Sequence, residues 1–384
     1  MNTKDNANYP SKPSWVKVFN YQVLKMANKT LKPSSFIGDR RHRGRLALII
    51  LFLCLLVSLW FGAISGPYDV SIIKLIQTLF VEGFEKGASS RDYLVLVNIR
   101  FPRILLGLMV GSALAVSGVL MQGLFRNPLA DPGIMGVSAG AGLGAVLIIV
   151  LGASLPVAFT NYFGSFSIIL GSFIGGLITT FFLYAVATRN RQTSIATMLL
   201  AGIALGALSG AALGILVFIA NDQQLRDITF WNLGSLAGAT WSRIGLALPF
   251  ILLGLFIAPF LAQPLNALSL GESVAGHLGF SIQRIKNLAI CLVALMCGGA
   301  VAVSGGIGFI GIVVPHILRL TIGPNHRYLI PCSALLGAIL LILADTFSRY
   351  IVAPSELPIG IVTALFGAPI FLWILLKQRG ILEQ

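Results

Sequence analysis

One eleven-residue segment of this chain occurs almost twice. Residues 108–118 read LMVGSALAVSG and residues 295–305 read LMCGGAVAVSG, so eight of the eleven positions are identical at an offset of 187. Pro128 and Pro315 are separated by the same offset. Self-similarity at a fixed offset indicates a duplicated architecture, and duplicated apolar segments are typical of transporters built from inverted repeats.

The composition places this duplication in a membrane. Of the 384 residues, 56% are hydrophobic and 10% are charged, whereas soluble domains carry about 25% charged residues. Ten stretches are long and apolar enough to cross a bilayer, although the eighth is short and is interrupted by Pro315. These spans are residues 46–65, 104–124, 134–151, 166–187, 195–219, 244–261, 288–305, 307–320, 330–345 and 359–376. We therefore predict an all-α integral membrane protein with about ten transmembrane helices and an internal inverted repeat.

The net charge of +14 is interpreted as a signal of topology, and we expect membrane lipid but no nucleic acid as a partner. Ten lysine and arginine residues lie in residues 1–45, which predicts a basic, disordered cytoplasmic tail before a permease domain of residues 46–384. An even number of passes then puts both termini in the cytoplasm. Spans 2 and 7, which carry the repeated segment, become antiparallel.

Two arginines flank a proline before the second span. Arg100 and Arg103 lie three residues apart at its predicted outer mouth, where they either anchor the helix at the interface or dock an acidic partner. After the span, Asp131 lies between two prolines. We expect it to cap the turn at residues 133–134; an ion site is the weaker alternative.

The predicted inside loop at residues 265–287 is too long for a simple connection. It is amphipathic and rich in small residues, which favours a short helix that inserts into a cytoplasmic partner. Glu272 is its only acid and His277 its only histidine, so the loop offers no metal site. Near the ninth span, Asp345 and Arg349 are four residues apart, which predicts a local ion pair.

Several chemical motifs are absent from the sequence. There is no GxxxxGK[ST] loop for ATP, no HExxH motif, and no series of intramembrane carboxylates of the kind that ion-coupled carriers use. The four cysteines lie in apolar runs, which favours a packing role. We expect a protein that is not an enzyme, binds no metal or cofactor, and takes its energy from another subunit.

Four blocks in order resemble the permease subunits of type II ABC importers, the family that takes up cobalamin, ferric siderophores and haem. The resemblance covers about residues 46–380. The blocks are RFPRILLGLMVGSALAVSG with FRNPLADPGIMGVSAGAG, LSLGESVAGHLG, SGGIGFIGIVVPHILRL, and LADTFSR with ELPIGIVTALFGAPIFLWIL. The long basic tail is not part of the family pattern.

The resemblance implies two copies of the chain in the bacterial inner membrane, two ATPase subunits that hold ATP and Mg, and a periplasmic substrate-binding protein. Three sets of residues match functional positions of the family. The docking set is Arg100, Arg103 and Arg349; the ATPase-coupling set is Leu268, Ser269, Gly271, Glu272, Ala275, Gly276, Leu278 and Gly279; the inner-gate region is Ser194, Ile195 and Ala196. The gate region departs from the small hydroxyl residues of the family, because Ile195 and Ala196 lie near those positions.

The transported chelate is less sharply indicated. Residues 222–241, DQQLRDITFWNLGSLAGATW, are most similar to the haem-permease branch, so haem is favoured over a ferric siderophore or cobalamin. No constellation of histidine, tyrosine or methionine identifies a ligand for haem iron. A secondary transporter with inverted repeats is the alternative from another class, and the loop at residues 265–287 is the feature that argues against it.

Overall fold

The computed structural model describes residues 40–66, 68, 91–152, 163–164, 166–190, 192–352 and 355–382. Most of the predicted basic tail, residues 1–39, lies outside the described residues, and so do the stretches 69–90 and 153–162. The described chain is almost entirely helical, with one two-stranded hairpin.

Within the described residues, seven helices are long and apolar enough to cross a membrane, and three shorter apolar helices accompany them. These ten helices correspond to the ten predicted spans. The helices are α1 Arg40–Ile64, α2 Phe101–Phe125, α3 Val137–Leu151, α4 Phe166–Ala187, α5 Ile195–Ile219, α6 Asp222–Leu233, α7 Trp241–Ile257, α8 Ala262–Ser269, α9 Glu272–His277, α10 Ile282–Ser304, α11 Ile310–Ile322, α12 His326–Ile351 and α13 Ile359–Leu382. The hairpin strands are β1 Thr188–Arg189 and β2 Gln192–Thr193.

The predicted limits of α4 and α5 are those of the structure. The side chain of Ser194 caps the first turn of α5, which explains where that helix begins. Helix α1 begins at Arg40, so the last six residues of the predicted tail are helical. Helix α2 is preceded by a turn, Arg91–Leu94, and a π-helix, Val95–Arg100, that continue into it.

Helix α6 lies between the fifth and sixth predicted spans, in a stretch that the sequence assigned to neither. Its start is a capping box in which Asn221 accepts from the Gln224 amide and Gln224 accepts from the Asn221 amide. The Gln224 side chain also donates to the Ile149 and Val150 carbonyls at the end of α3, at 3.2 and 3.1 Å. An Asn with Gln three residues later was the signal in the sequence for this helix.

Pro315 does not interrupt its helix, contrary to the expectation from the sequence. A proline has no N–H, so the carbonyl four residues earlier, that of Gly311, lacks its usual helical donor. The Gln122 side chain of α2 supplies one, with Nε2 at 3.3 Å from the Gly311 oxygen and 3.4 Å from the Ile312 oxygen. Helix α11 therefore continues through the proline, because a neighbouring helix satisfies the freed backbone group.

Helix α2 forms the centre of the bundle, and nearly all of its side chains are buried. At Gly118 it lies directly against the backbone of α11, where a Cβ atom would strike the Gly311 carbonyl. Small residues allow this close approach of backbones in membrane proteins. The buried, repeated segment thus works as packing scaffold, as does its copy near the end of α10.

The two copies run in opposite directions. Helices α2 and α12 are antiparallel, since Arg103 near the start of α2 contacts Asp345 near the end of α12, whereas Ser112 bonds to the Ala334 carbonyl further back. The start of α2 and the end of α12 therefore share one end of the bundle.

The end of α10 lies at that same end of the bundle. Gly305, which caps α10, lies against Gly234, whose carbonyl accepts from the Ile359 amide at the start of α13. The segment before α13 bonds back to α12 through the Leu357 amide and the Ser348 carbonyl. Helix α10 thus ends where α2 begins, and the predicted inverted repeat is confirmed.

The surface of the bundle is apolar along its helices. Helix α5 exposes large hydrophobic side chains over its length, and α1, α7 and α13 do the same. A soluble monomer rarely exposes so large a contiguous apolar surface, so this surface is suited to lipid and to contacts with other membrane-embedded helices. Ion pairs between charged side chains lie instead at the two ends of the bundle.

Candidate functional site

We call the two ends after their contents. The arginine end holds Arg100, Arg103, Asp345, Arg349 and Glu356; the hairpin end holds the β1–β2 hairpin, α8, α9 and the start of α10. The residues predicted for docking lie at the first end, and those predicted for ATPase coupling and for the inner gate lie at the second. The inverted arrangement of α2 and α10 separates these two sets.

Two carboxylates hold the central arginine at the arginine end. The Arg103 Nε lies 2.8 Å from Asp345 Oδ1 and 2.9 Å from Oδ2, and its Nη1 lies 2.8 Å from Glu356 Oε1 and 2.9 Å from Oε2. Asp345 also pairs with Arg349, at 3.3 Å, so the predicted local ion pair is confirmed. Asp345 therefore bridges two cations on two different helices.

Arg100 and Arg349 also bind the end of α1. Arg100 donates to the Ala63 and Ile64 carbonyls, both at 2.6 Å, and to the Tyr68 carbonyl. Arg349 donates to the Ser65 carbonyl at 3.0 Å. The last carbonyls of a helix lack intrahelical donors and carry partial negative charge, so cations stabilise this position. The arginine end thus joins α1, α2 and α12.

The three arginines are buried, so they do not form a patch of positive charge at the surface. Arg100 is 3% exposed, and Arg103 and Arg349 are each 5% exposed. Burial of a charge is costly unless it is paired, which explains why each guanidinium has partners within the chain. The Glu356 side chain is 40% exposed and is the accessible member of the cluster. Docking of a partner on these arginines stays a prediction.

At the hairpin end the loop after α8 contains the short helix that the sequence predicted, α9. Gly271 and Gly279 flank this helix with φ of +117° and +87°, a backbone region that other residues rarely adopt. The predicted loop ends earlier than expected, because residues 282–287 already belong to α10.

The predicted coupling residues divide into two groups. Leu268 and Ala275 are buried and hold α8 and α9 against the bundle. The remaining six are partly or fully exposed: Ser269, Gly271, Glu272, Gly276, Leu278 and Gly279. Leu270 and Val274, which lie among them in the sequence, are exposed as well. Helix α9 therefore presents apolar side chains beyond the spans, where a partner protein can cover them. The role in coupling to an ATPase stays a prediction.

The predicted gate residues lie where the hairpin meets α5. The Ser194 side chain accepts from the Thr197 amide at 3.3 Å and its amide donates to the Ala187 carbonyl at 3.0 Å. Ser194 and Ala196 are exposed and Ile195 is partly buried. This arrangement fixes the start of α5 to the end of α4, and the gating role stays a prediction.

Sequence reasoning missed the residues that join the coupling segment to the gate segment. Lys286 Nζ lies 3.0 Å from the Glu272 carboxylate and 3.1 Å from the Thr193 carbonyl oxygen. Gln283, one turn earlier in α10, accepts from the Thr193 amide at 3.0 Å. Nothing in the local sequence signals these contacts, because Lys286 and Thr193 are 93 residues apart.

Asp131 is a cap, as predicted, because its carboxylate accepts from the Gly133 amide at 2.6 Å. Burial raises the pKa of this carboxyl, and the hydrogen bond from Gly133 opposes that shift. A cavity of about 270 Å³ adjoins it, with Ser138 and Cys297 in its lining. Within the described residues, no group of three or more histidine, cysteine or acidic residues is placed to hold a metal ion.

Comparisons with known proteins agree with this arrangement. The chain is 45% identical over 339 residues to the hemin transport system permease protein HmuU of Yersinia pestis, which covers 88% of this chain and 98% of that relative. It is 43% identical over 292 residues to the vitamin B12 import system permease protein BtuC of Citrobacter koseri, covering 76% of this chain and 85% of the relative.

A solved structure has the same fold. It is described as an inward-facing conformation of a metal-chelate type ABC transporter, and it matches with a TM-score of 0.75 and 32% identity over 86% of this chain and 98% of that one. The model of the FecCD transport family matches residues 50–377, most of the chain. The resemblance to type II ABC import permeases is thereby confirmed, and the chain belongs to the FecCD transport family.

Proposed function

We propose that two copies of this chain form the passage of an ATP-driven importer that carries haem from a periplasmic binding protein to the cytoplasm. Two separate ATPase subunits bind beneath the passage and hold ATP and Mg, while this chain itself binds no cofactor. The chain lies in the bacterial inner membrane with both termini in the cytoplasm, so that the hairpin end faces the ATPases.

Helix α9 is the observation that carries this proposal. It stands between two glycines of positive φ, and Val274 within it, Leu278 at its end and Leu270 just before it are exposed at the end of the bundle. Exposed apolar side chains outside the spans favour a protein partner, since they gain free energy when they leave water. A secondary transporter that works alone has no use for such a helix, which argues against that alternative.

The choice of haem is supported by the relative HmuU, a hemin permease that this chain matches over 98% of its length. A second candidate is cobalamin, because the BtuC relative named for vitamin B12 import is 43% identical over 85% of its length. A ferric siderophore is the third. Specificity in such a system belongs mainly to the periplasmic protein, since the permease needs only to bind its partners differently in its conformational states.

The binding protein is proposed to dock at Arg103 by displacing Glu356 from it. An acidic residue of the partner would replace the half-exposed Glu356 at the Arg103 guanidinium, while Asp345 keeps its place beneath. Arg100 and Arg349 then hold the surrounding helix ends in position. Such an exchange of one carboxylate for another preserves the charge balance of the buried arginines.

Reconstitution tests the function directly. The chain, its ATPase and its binding protein are placed in liposomes, and uptake of hemin, a ferric hydroxamate siderophore and cyanocobalamin is measured with and without ATP. We expect ATP-dependent accumulation of hemin well above that of the other two. Accumulation of cyanocobalamin instead would move the proposal to the second substrate, and uptake by the chain without any ATPase would contradict the ABC mechanism.

A further inference from the structure

We propose that Lys286 is a positioning residue that ties α9 to the hairpin preceding α5, so that movement of α9 is passed to the start of α5. This inference rests on the proposed function, because it assumes that α9 receives the ATPase. Lys286 lies in the second turn of α10 and is 6% exposed. A buried ammonium group requires polar partners, and the identity of those partners shows which elements it joins.

Its first partner is the acidic residue at the start of α9. Lys286 Nζ lies 3.0 Å from both carboxylate oxygens of Glu272. The Glu272 side chain is 38% exposed, so the pair sits at the boundary between the bundle and the surface where a partner would bind. A charge-assisted bond of this kind is stronger than one between neutral groups. It fixes the first turn of α9 to α10.

Its second partner is in the hairpin. Lys286 Nζ donates to the Thr193 carbonyl at 3.1 Å, and Thr193 is buried at the end of β2. The next residue, Ser194, caps α5 and belongs to the predicted gate region. A single ammonium group therefore contacts both the predicted coupling helix and the residue that precedes the predicted gate.

Gln283 strengthens the attachment of the hairpin to α10. It accepts from the Thr193 amide at 3.0 Å and its Nε2 donates to the Thr193 hydroxyl at 2.6 Å. The amide, carbonyl and hydroxyl of Thr193 are thus all held by the first two turns of α10. Because α9 reaches the same turns through Glu272, α9 and the hairpin share one support and Lys286 is the group common to both.

A distance measurement tests the tie without any transported cargo. Spin labels are attached at Arg189 in the hairpin and at Ser273 in α9, both exposed, in the full chain in lipid nanodiscs. Lys286→Met keeps an unbranched stem of four atoms and removes the ammonium group; we expect it to broaden the distance distribution. Arg284→Met, which removes an exposed charge two residues away, is the matched control and should leave the distribution unchanged. A narrow distribution in Lys286→Met would overturn the tie.

A second measurement tests whether the tie transmits movement. In liposomes with the ATPase and the binding protein, hemin imported per ATP hydrolysed should fall about fivefold in Lys286→Met, which is within the usual range of coupling effects. Glu272→Gln should fall less, because Lys286 keeps the Thr193 carbonyl, and Arg284→Met should match the unsubstituted chain. A structural role alone would lower the amount of assembled complex and leave this ratio unchanged.

The outcomes separate the two proposals. If Lys286→Met does not assemble, Glu272→Gln decides, since the glutamine keeps a side-chain oxygen that can accept from Lys286, and Lys286 also keeps the Thr193 carbonyl. An unchanged ratio in the assembled variants would overturn the inference. Absence of ATP-dependent uptake by the unsubstituted chain would instead contradict the proposed function, while the distance measurement would still decide whether Lys286 joins the two elements.

Discussion

At the arginine end Arg103 is bonded to two carboxylates from two segments, whereas at the hairpin end Lys286 shares its charge between Glu272 and a backbone carbonyl. The arginine end joins three long helices through several redundant contacts. The hairpin end joins a six-residue helix and a short hairpin through the first turns of α10. Ion pairs between long helices make the arginine end a fixed anchor, whereas the Glu272–Lys286 pair and hydrogen bonds of neutral groups hold the hairpin end and leave it suited to movement.

The largest effect should come from removing the carboxylate that bridges the arginine end. Asp345→Asn leaves Arg103 and Arg349 buried with one strong partner fewer each, and loss of one member of a buried ion pair costs about 3–5 kcal/mol. The free energy of unfolding in detergent micelles should fall by that order. Asp227→Asn, an exposed acid on α6, is the control and should have little effect. Equal stability of the two variants would contradict the anchor.

An intermediate loss of stability is expected at the hairpin end when a glycine of positive φ is replaced. Gly279→Ala places a side chain at a φ of +87°, and strained backbone of this kind costs about 1–3 kcal/mol. Gly276→Ala is the matched control within α9, because its new Cβ would meet only the Ile282 side chain at an ordinary 3.7 Å. The midpoint temperature of thermal unfolding should fall in Gly279→Ala and should stay the same or rise in Gly276→Ala. The reverse order would show that Gly279 does not need its conformation.

The smallest effect on stability should come from Glu356→Gln. Its side chain is partly exposed, and Arg103 keeps both oxygens of Asp345, so solvent screening limits the loss to about 0–1 kcal/mol. Affinity for the binding protein should change more than stability if a partner carboxylate competes for Arg103. Titration of the binding protein against both forms in nanodiscs measures this. A large loss of stability would place Glu356 in the anchor with Asp345.

The predictions that held for individual residues concern contacts between near neighbours in the sequence. The Asp345–Arg349 pair and the Asp131 cap each join residues within four positions, where helix and turn geometry alone bring the groups together. The capping box of α6 was equally local and was overlooked. Pro315 misled for a different reason, since the donor that relieves it comes from Gln122 on another helix.

The contacts that define the two ends could not be predicted in this way. Arg103 and Glu356 are separated by 253 residues, and their contact depends on how α2 packs against the segment between α12 and α13. From the sequence the arginines were expected at the surface. Their burial could not be predicted, because the exposure of a side chain depends on its neighbours in space and not only on its residue type.

The sequence alone predicted a duplicated helical membrane protein that resembles type II import permeases, with the limits of α4 and α5. Apolar length, glycine content and the repeat predict the duplicated helical fold because they act through local structure and the bilayer, whereas the family was indicated by the resemblance of four sequence blocks. The burial of the arginines and the position of Lys286 between α9 and the hairpin became apparent only from the packing of the helices. Those features require side chains from distant helices to meet, and the energetics of burial then select which charges pair.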